Sequence, residues 1–186
     1  MNNQKTAILV VDMLNDFVTG ALKCDRGLAI VPKTAELLRE ARKNGVAVIF
    51  SNDAHLKGID HEFKLWGEHA VAGTFGAQVI PELEQCDTDY VVPKRRYSGF
   101  FHTDLDLLLK ELDIDTVIMT GLHTHMCVRH TTADAYCLGY NIVVASDATN
   151  SFTEADYNYG IEYLKSVYDA KVYSVDELVA MFRAND

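Results

Sequence analysis

The segment Gly121 to Tyr140, GLHTHMCVRHTTADAYCLGY, sets His123, His125, Cys127 and His130 within eight positions. Such a set can hold a metal, or it can surround one reactive thiol. The metal reading needs His123, His125 and Cys127 to alternate on one side of an extended segment. A helix is expected to begin here and the usual zinc spacings are absent, which favours the thiol. The apolar run TVIMTG precedes the segment and helical periodicity follows from about Cys127, so the thiol sits at a strand-to-helix turn. A helix N-terminus offers unpaired N–H groups and a partial positive charge, both of which favour thiolate over thiol. A free cysteine titrates near ~8.5, and such sites lower it to roughly 3.5–7.5. The same N–H groups suit an oxyanion. The competing reading of Cys127 is a buried small hydrophobe, the ordinary state of a cysteine, and the turn alone does not separate the two. Cys24, Cys86 and Cys137 have no comparable neighbours and read as structural or incidental. His130, one turn into the helix, reads as a packed or surface histidine.

A second constellation is SNDAHLKGIDHEFKLWGEHAVAGTFGAQ. Asp53 and His55 are two apart, so on extended backbone both face the same way. His69 follows along a long loop. A carboxylate with two imidazoles is a transition-metal ligand set that leaves positions open for water or substrate, and Glu62 could be a fourth ligand. His61 competes with Glu62 and His69 for that role, and a solvated loop with accidental histidines is the alternative. The loop is long for a compact domain, which favours function. Phe63, Leu65 and Trp66 could wall an aromatic pocket or simply anchor the loop to the core.

These residues need elements to position them. Short apolar runs alternate with helical periodicity: strands at TAILVVD, VAVIFSN, DYVVPK, TVIMTG, NIVVASD and AKVYS. Pro93 is expected to end the third. Helices are expected at VPKTAELLREARKNG, with Pro32 in its first turn and Gly45 as its stop, and at TDLDLLLKELDI. The second has Thr103 as cap and Leu105, Leu108, Leu109 and Leu112 inward. Others run from about Cys127 to Leu138 and Thr153 to Tyr168, and SVDELVAMF carries Ser174 and Glu177 at capping-box spacing. This alternation predicts an α/β fold: a doubly wound, mainly parallel six-stranded sheet with helices on both faces, in a single domain spanning 1–186. Ligands of such sheets bind beyond the carboxyl ends of the strands. Asp12 ends the first strand, Asp53 follows the second, Lys94 the third and the GLHTHMC turn the fourth, so all fall on that edge. There Lys94 can favour the thiolate, and Asp12 can act as base and then as acid.

The totals narrow the classes. The chain has 186 residues and a formal net charge of −10, which disfavours nucleic acid and polyanionic substrates. No apolar run approaches the ~18 residues of a membrane span, so no membrane partner is expected. The N-terminus enters a strand without the apolar stretch or cleavage site of an export signal. The four scattered cysteines then read as reduced thiols in the cytoplasm.

The stretches AILVVDMLNDF, SNDAH, WGEHAVAGTFGAQVIPEL, KRRYSGFFHTDLD and TGLHTHMCVRHTTADA occur in the order seen in the isochorismatase-like cysteine hydrolases, and the resemblance runs from about Ala7 to Asp147. It implies the same six-stranded fold and a triad on Asp12, Lys94 and Cys127. It also implies a cis peptide between Leu122 and His123 and an oxyanion hole made by the N–H groups of His123 and Cys127. Within the family, the Asp-x-His loop followed by W-x-x-H is similar to nicotinamidases. That implies one divalent transition metal, zinc with iron or manganese as alternatives, on Asp53, His55, His69 and Glu62. Phe17, Leu65, Trp66 and Tyr97 are the expected substrate pocket. The implied reaction is hydrolysis of a small carboxamide, nicotinamide first, to acid and ammonia through a thioester, with N-carbamoyl acids as the alternative substrate. Such an acid needs a cation, for which Arg95, Arg96 and Arg129 are candidates. The resemblance further implies a homo-oligomer. A non-catalytic metal-binding protein on the same fold is the alternative of another class. Isochorismatases proper are similar in fold but lack the cysteine. Two positions depart from the nicotinamidase pattern: Leu14, where glutamine is common, and His125, where aspartate or asparagine is common.

Overall fold

A computed structural model describes residues 1–184. Strand β1 (Thr6–Val11) is buried throughout, with Ile8 and Val10 in one apolar cluster and Ala7, Leu9 and Val11 in another. A strand covered on both faces reads as a continuous apolar run, which is what TAILVV is. Around it lie β2 (Ala47–Asp53), β3 (Tyr90–Lys94), β4 (Thr116–Leu122), β5 (Asn141–Asn150) and β6 (Lys171–Tyr173). All pairings are parallel and the order is β3-β2-β1-β4-β5-β6. The chain winds outward from β1 to β3, then returns to place β4 on the other side of β1. The expected doubly wound α/β fold is therefore present, with its switch point between β1 and β4.

Helices α1 (Val31–Lys43) and α5 (Val175–Arg183) cover one face through Leu37, Leu38, Leu178 and Phe182. Helices α2 (Leu105–Glu111), α3 (Arg129–Cys137) and α4 (Glu154–Tyr168) cover the other through Leu105, Leu109, Ala135 and Leu164. Each large aliphatic side chain buried this way stabilises the fold by about 1.5–3 kcal/mol. The local signals act where expected. Pro32 lies in the first turn of α1, and Ser174 and Glu177 close a capping box on α5. The cap position of α2 falls on Asp104 and not on the expected Thr103, whose hydroxyl accepts the Leu105 N–H at 3.3 Å from one residue earlier.

Two boundaries differ from the sequence reading. Pro93 does not end β3 but lies inside it, opposite Asn52; β3 is an edge strand, where a missing N–H is tolerated. Strand β5 runs three residues beyond NIVVASD, because a register shift between Met119 and Gly121 lets its second half pair again with β4. That extension delivers Ser151 and Phe152 to the carboxyl edge. Among the described residues no helix is long and apolar enough to cross a membrane.

Candidate active site and metal centre

The carboxyl ends of the central strands carry the charged groups. Asp12 follows β1 with φ +54, which turns its side chain out of the strand direction. Lys94 ends β3 directly opposite Asp53 of β2 in register. Its ammonium lies 2.7 Å from Asp12 Oδ2 and 2.6 Å from Asp53 Oδ1, while Asp12 Oδ1 accepts the Asp53 N–H at 2.7 Å. All three side chains are buried. Burial alone would discharge Lys94, but the two carboxylates outweigh it and hold its pKa well above the ordinary value. Burial, reinforced by the Asp53 charge, pushes Asp12 up to about 6 against the pull of Lys94.

Cys127 joins this cluster from β4. The Leu122–His123 peptide is cis. Thr124–Val128 then form a π-helical turn that runs into α3, so helical structure starts a few residues before the expected Cys127. Met126 and Val128 donate their N–H groups to the His123 carbonyl, flanking Cys127. Close approaches fix the turn. A Cβ on Gly121, at φ +92, would fall 2.0 Å from the Val11 carbonyl oxygen, so only glycine lets β4 lie this close to β1. A Cβ on Gly160 would sit 3.0 Å from the Thr124 and His125 backbone, so α4 packs directly onto the turn.

The thiol does not have the lowered pKa expected of a helix start. Burial raises it well above the ordinary value; Lys94 pulls it down, and the hydrogen bond to Asp12 adds to the rise. Desolvation beside two carboxylates outweighs the partial charge of the turn. The sulfur thus rests beside the Asp12 carboxylate in surroundings whose burial favours the neutral thiol.

Asp53, His55, Glu62 and His69 form the second cluster. One ligand atom from each lies within 4.8 Å of the others, all four residues are buried, and no further such group occurs among the described residues. His123, His125 and Cys127 accordingly do not assemble a metal cluster. His55 Nε2 is 3.5 Å from Asp53 Oδ2 and 3.9 Å from Glu62 Oε2, and neither of its ring nitrogens has a hydrogen-bond partner among the described residues. His69 Nδ1 lies 2.8 Å from the Gly67 carbonyl, which fixes its tautomer and leaves Nε2 for the cluster. Burial, with the Asp53 charge, pushes Glu62 up to about 7. Imidazole edges without partners beside two buried carboxylates fit a divalent transition metal, and they fit little else in an apolar surround. Phe63 sits edge-on to both imidazoles, at 5.3 Å and 5.7 Å between centroids.

Three residues that sequence reasoning passed over hold this loop. Asp60 lies behind His55, 3.4 Å from Nδ1, and is held by Arg95 and Arg96. Asp16 accepts the Ala70 N–H at 2.8 Å, and a Cβ on Gly76 would strike its carboxylate at 2.1 Å. Asn15 donates to the carbonyls of Phe75 and Gln78. His61 lines a neighbouring open groove and is not a ligand candidate.

The two clusters open on one narrow cavity, lined among others by Phe17, Leu22, Trp66, Tyr97, Phe152 and Cys127, with Asp53, Glu62 and His69 at one side. Trp66 donates its indole N–H to Tyr97 Oη at 2.9 Å and stacks on Phe152. Phe17, Trp66 and Tyr97 thus sit at the expected pocket, whereas Leu65 does not. It is 72% exposed and lines the groove beside His61. Leu14 pairs with Val79 and packs in the core, away from the cavity lining. His125 is bonded to the Ser151 hydroxyl at 3.0 Å, and His130 Nδ1 meets the Met126 carbonyl at 2.8 Å.

Comparison with known proteins agrees with this fold. An isochorismatase-like hydrolase from Alkaliphilus metalliredigens is 43% identical, with a TM-score of 0.91 over 96% of this chain and 99% of that one. An N-carbamoylsarcosine amidase from Thermoplasma acidophilum is 37% identical, with a TM-score of 0.86 over 92% and 97%. A pyrazinamidase of Pyrococcus horikoshii, solved in complex with zinc, is 29% identical, with a TM-score of 0.85 over 91% and 99%. The model of the isochorismatase domain matches residues 6–177, and the chain belongs to the isochorismatase family of hydrolases.

Proposed function

We propose that the protein hydrolyses a small aromatic carboxamide, nicotinamide first, to the acid and ammonia. The observation that carries this reading is that a buried thiol with its own carboxylate and a four-residue ligand set face the same small aromatic cavity. Asp12 accepts the Cys127 proton as sulfur attacks the carbonyl carbon. The N–H groups of His123 and Cys127 receive the oxyanion. Asp12 returns the proton to the departing nitrogen, ammonia leaves, and a thioester remains. Water then attacks the thioester with Asp12 again taking the proton, and the acid is released. Lys94 holds Asp12 in place and favours its charged form at the start of each proton transfer.

The residues that would hold the metal are Asp53, His55, Glu62 and His69; zinc is the first candidate, as in the pyrazinamidase relative, with iron or manganese fitting the same set. When bound it supplies a fixed positive centre for a ring nitrogen, which is positioning and not bond breaking. Phe17, Trp66 and Tyr97 enclose the ring.

An N-carbamoyl acid is the second reading, since an amidase of that class is 37% identical. Its carboxylate would need a cation. Arg95 and Arg96 are bound to Asp60, Arg129 lies over the Tyr159 and Tyr163 rings, and no arginine is among the described residues lining the cavity. That favours the uncharged amide. Ammonia release from nicotinamide, pyrazinamide and N-carbamoylsarcosine, measured in parallel, tests the choice: fastest turnover of the carbamoyl acid overturns it. We further propose that the chain works as a single-domain subunit of a cytoplasmic homo-oligomer, acting on small molecules and not on nucleic acid.

A further inference from the structure

One buried group in the cavity has no role in this chemistry. The His123 side chain is 2% exposed, lines the cavity with Cys127, and has no hydrogen-bond partner among the described residues for either ring nitrogen. The corresponding vacancy at His55 is accounted for by the ligand set; that at His123 is not. The ring cannot turn freely. It stacks on Phe152 at 3.8 Å between centroids and 26° between planes, and Phe152 in turn stacks on Trp66. Phe17 stands edge-on to it at 6.3 Å, and edge-on to His69 at 5.6 Å. His69 and His123 therefore both meet Phe17 at the cavity wall, one from the ligand cluster and one from the cysteine turn. Burial, with the neighbouring His125, pushes the His123 pKa down to about 3, so the ring is neutral and offers one donor and one acceptor. A buried polar edge left unpaired is destabilising, and a held orientation suits it to a partner that arrives with the ligand.

We propose that the His123 imidazole is a specificity-determining contact that hydrogen-bonds a second polar atom of the substrate ring, so that the preferred substrates are aromatic carboxamides bearing a further ring nitrogen or hydroxyl. This rests on the carboxamide reading above. It assigns a role to the side chain of a residue whose backbone N–H alone was expected to matter.

The test is a selectivity ratio. kcat/KM is measured for nicotinamide, pyrazinamide and 5-hydroxynicotinamide with the native chain, His123→Leu and His123→Gln. The ratio of the best doubly polar substrate to nicotinamide should fall about tenfold in His123→Leu, the size of one lost hydrogen bond. It should stay within about threefold of native in His123→Gln, which keeps a donor and an acceptor. The ratio is internal to each preparation, so partial misfolding cancels. A ratio unchanged in His123→Leu, with all substrates slowed equally, overturns the inference and leaves the carboxamide reading standing. No turnover of any carboxamide by the native chain overturns both.

Discussion

The two clusters at the carboxyl edge of the sheet are built on opposite plans. Asp12, Lys94 and Asp53 sit on strand ends; one ammonium is shared by two carboxylates, and strand register alone brings Lys94 opposite Asp53. The histidine cluster takes His69 and Glu62 from a long loop and leaves both His55 nitrogens facing carboxylates without a hydrogen bond among the described residues. One cluster is complete as folded. The other is complete only with something bound, and its geometry depends on side chains such as Asp16 and Asp60 that clasp the loop. Rigid groups bonded to one another suit bond making and proton transfer, and an adaptable, ligand-hungry set suits holding a substrate.

This contrast can be broken most decisively at the sulfur. Cys127→Ala should lower ammonia release by at least about 10⁴-fold while the far-UV spectrum and substrate binding persist. Cys86→Ala and Cys137→Ala, at exposed positions, should keep most activity, as should Cys24→Ala, with some loss of stability because Cys24 is buried against the Ser151 carbonyl. Appreciable turnover by Cys127→Ala would end the thioester mechanism.

The ion-paired cluster should fail as a fold element. Lys94→Met leaves two buried carboxylates unmatched, and denaturant titration should show a loss of about 3–5 kcal/mol. The thiol would also lose the charge that opposes its raised pKa, so the pH profile of Cys127 alkylation should move to still higher pH. A profile that stays put would place Lys94 outside the site.

The histidine cluster should fail as a binding site. His69→Ala or chelation should raise KM for nicotinamide by about 10–100-fold with a smaller change in kcat, since interactions equal in ground and transition state act on KM. Benzamide, lacking the ring nitrogen, should be a poor substrate before and after. Metal analysis should find one ion per chain, and full activity in metal-free protein would sink the assignment. The smallest effect is expected at the clasp. Asp16→Ala frees the Ala70 N–H beside His69 and should weaken metal affinity about tenfold, read by competition with a chromophoric chelator, with Cys127 alkylation unchanged.

How much of this could be read from sequence follows the same divide. The strands were legible because burial on both faces leaves continuous apolar runs, and strand ends then placed Asp12, Lys94 and Cys127 on one edge. The Asp53–His55 spacing was legible because extended backbone has period two. The clasp was not: Asp60 reaches Arg95 and Arg96 across 35 and 36 positions and Asp16 reaches Ala70 across 54, pairings with no periodic trace. Leu65 was misplaced because Phe63–Trp66 forms a single helical turn. Phe63 and Trp66, three apart, share its inner side, while Leu65 turns to solvent. Phe152 was missed because the irregular pairing that lengthens β5 leaves no mark in its composition. The thiol pKa was misread because a helix-start rule carries no information about burial.

Pro93 has a consequence beyond the site. It sits on β3, the outermost strand on one side, with Tyr90 and Val91 partly open to water beside it. A bare parallel edge is a template on which a stranger's backbone can zip, and a residue without an N–H interrupts the row of donors such zipping requires. At the opposite margin β6 is only three residues long and begins with a lysine. Both rims of the sheet are thereby dulled against fibril-like growth.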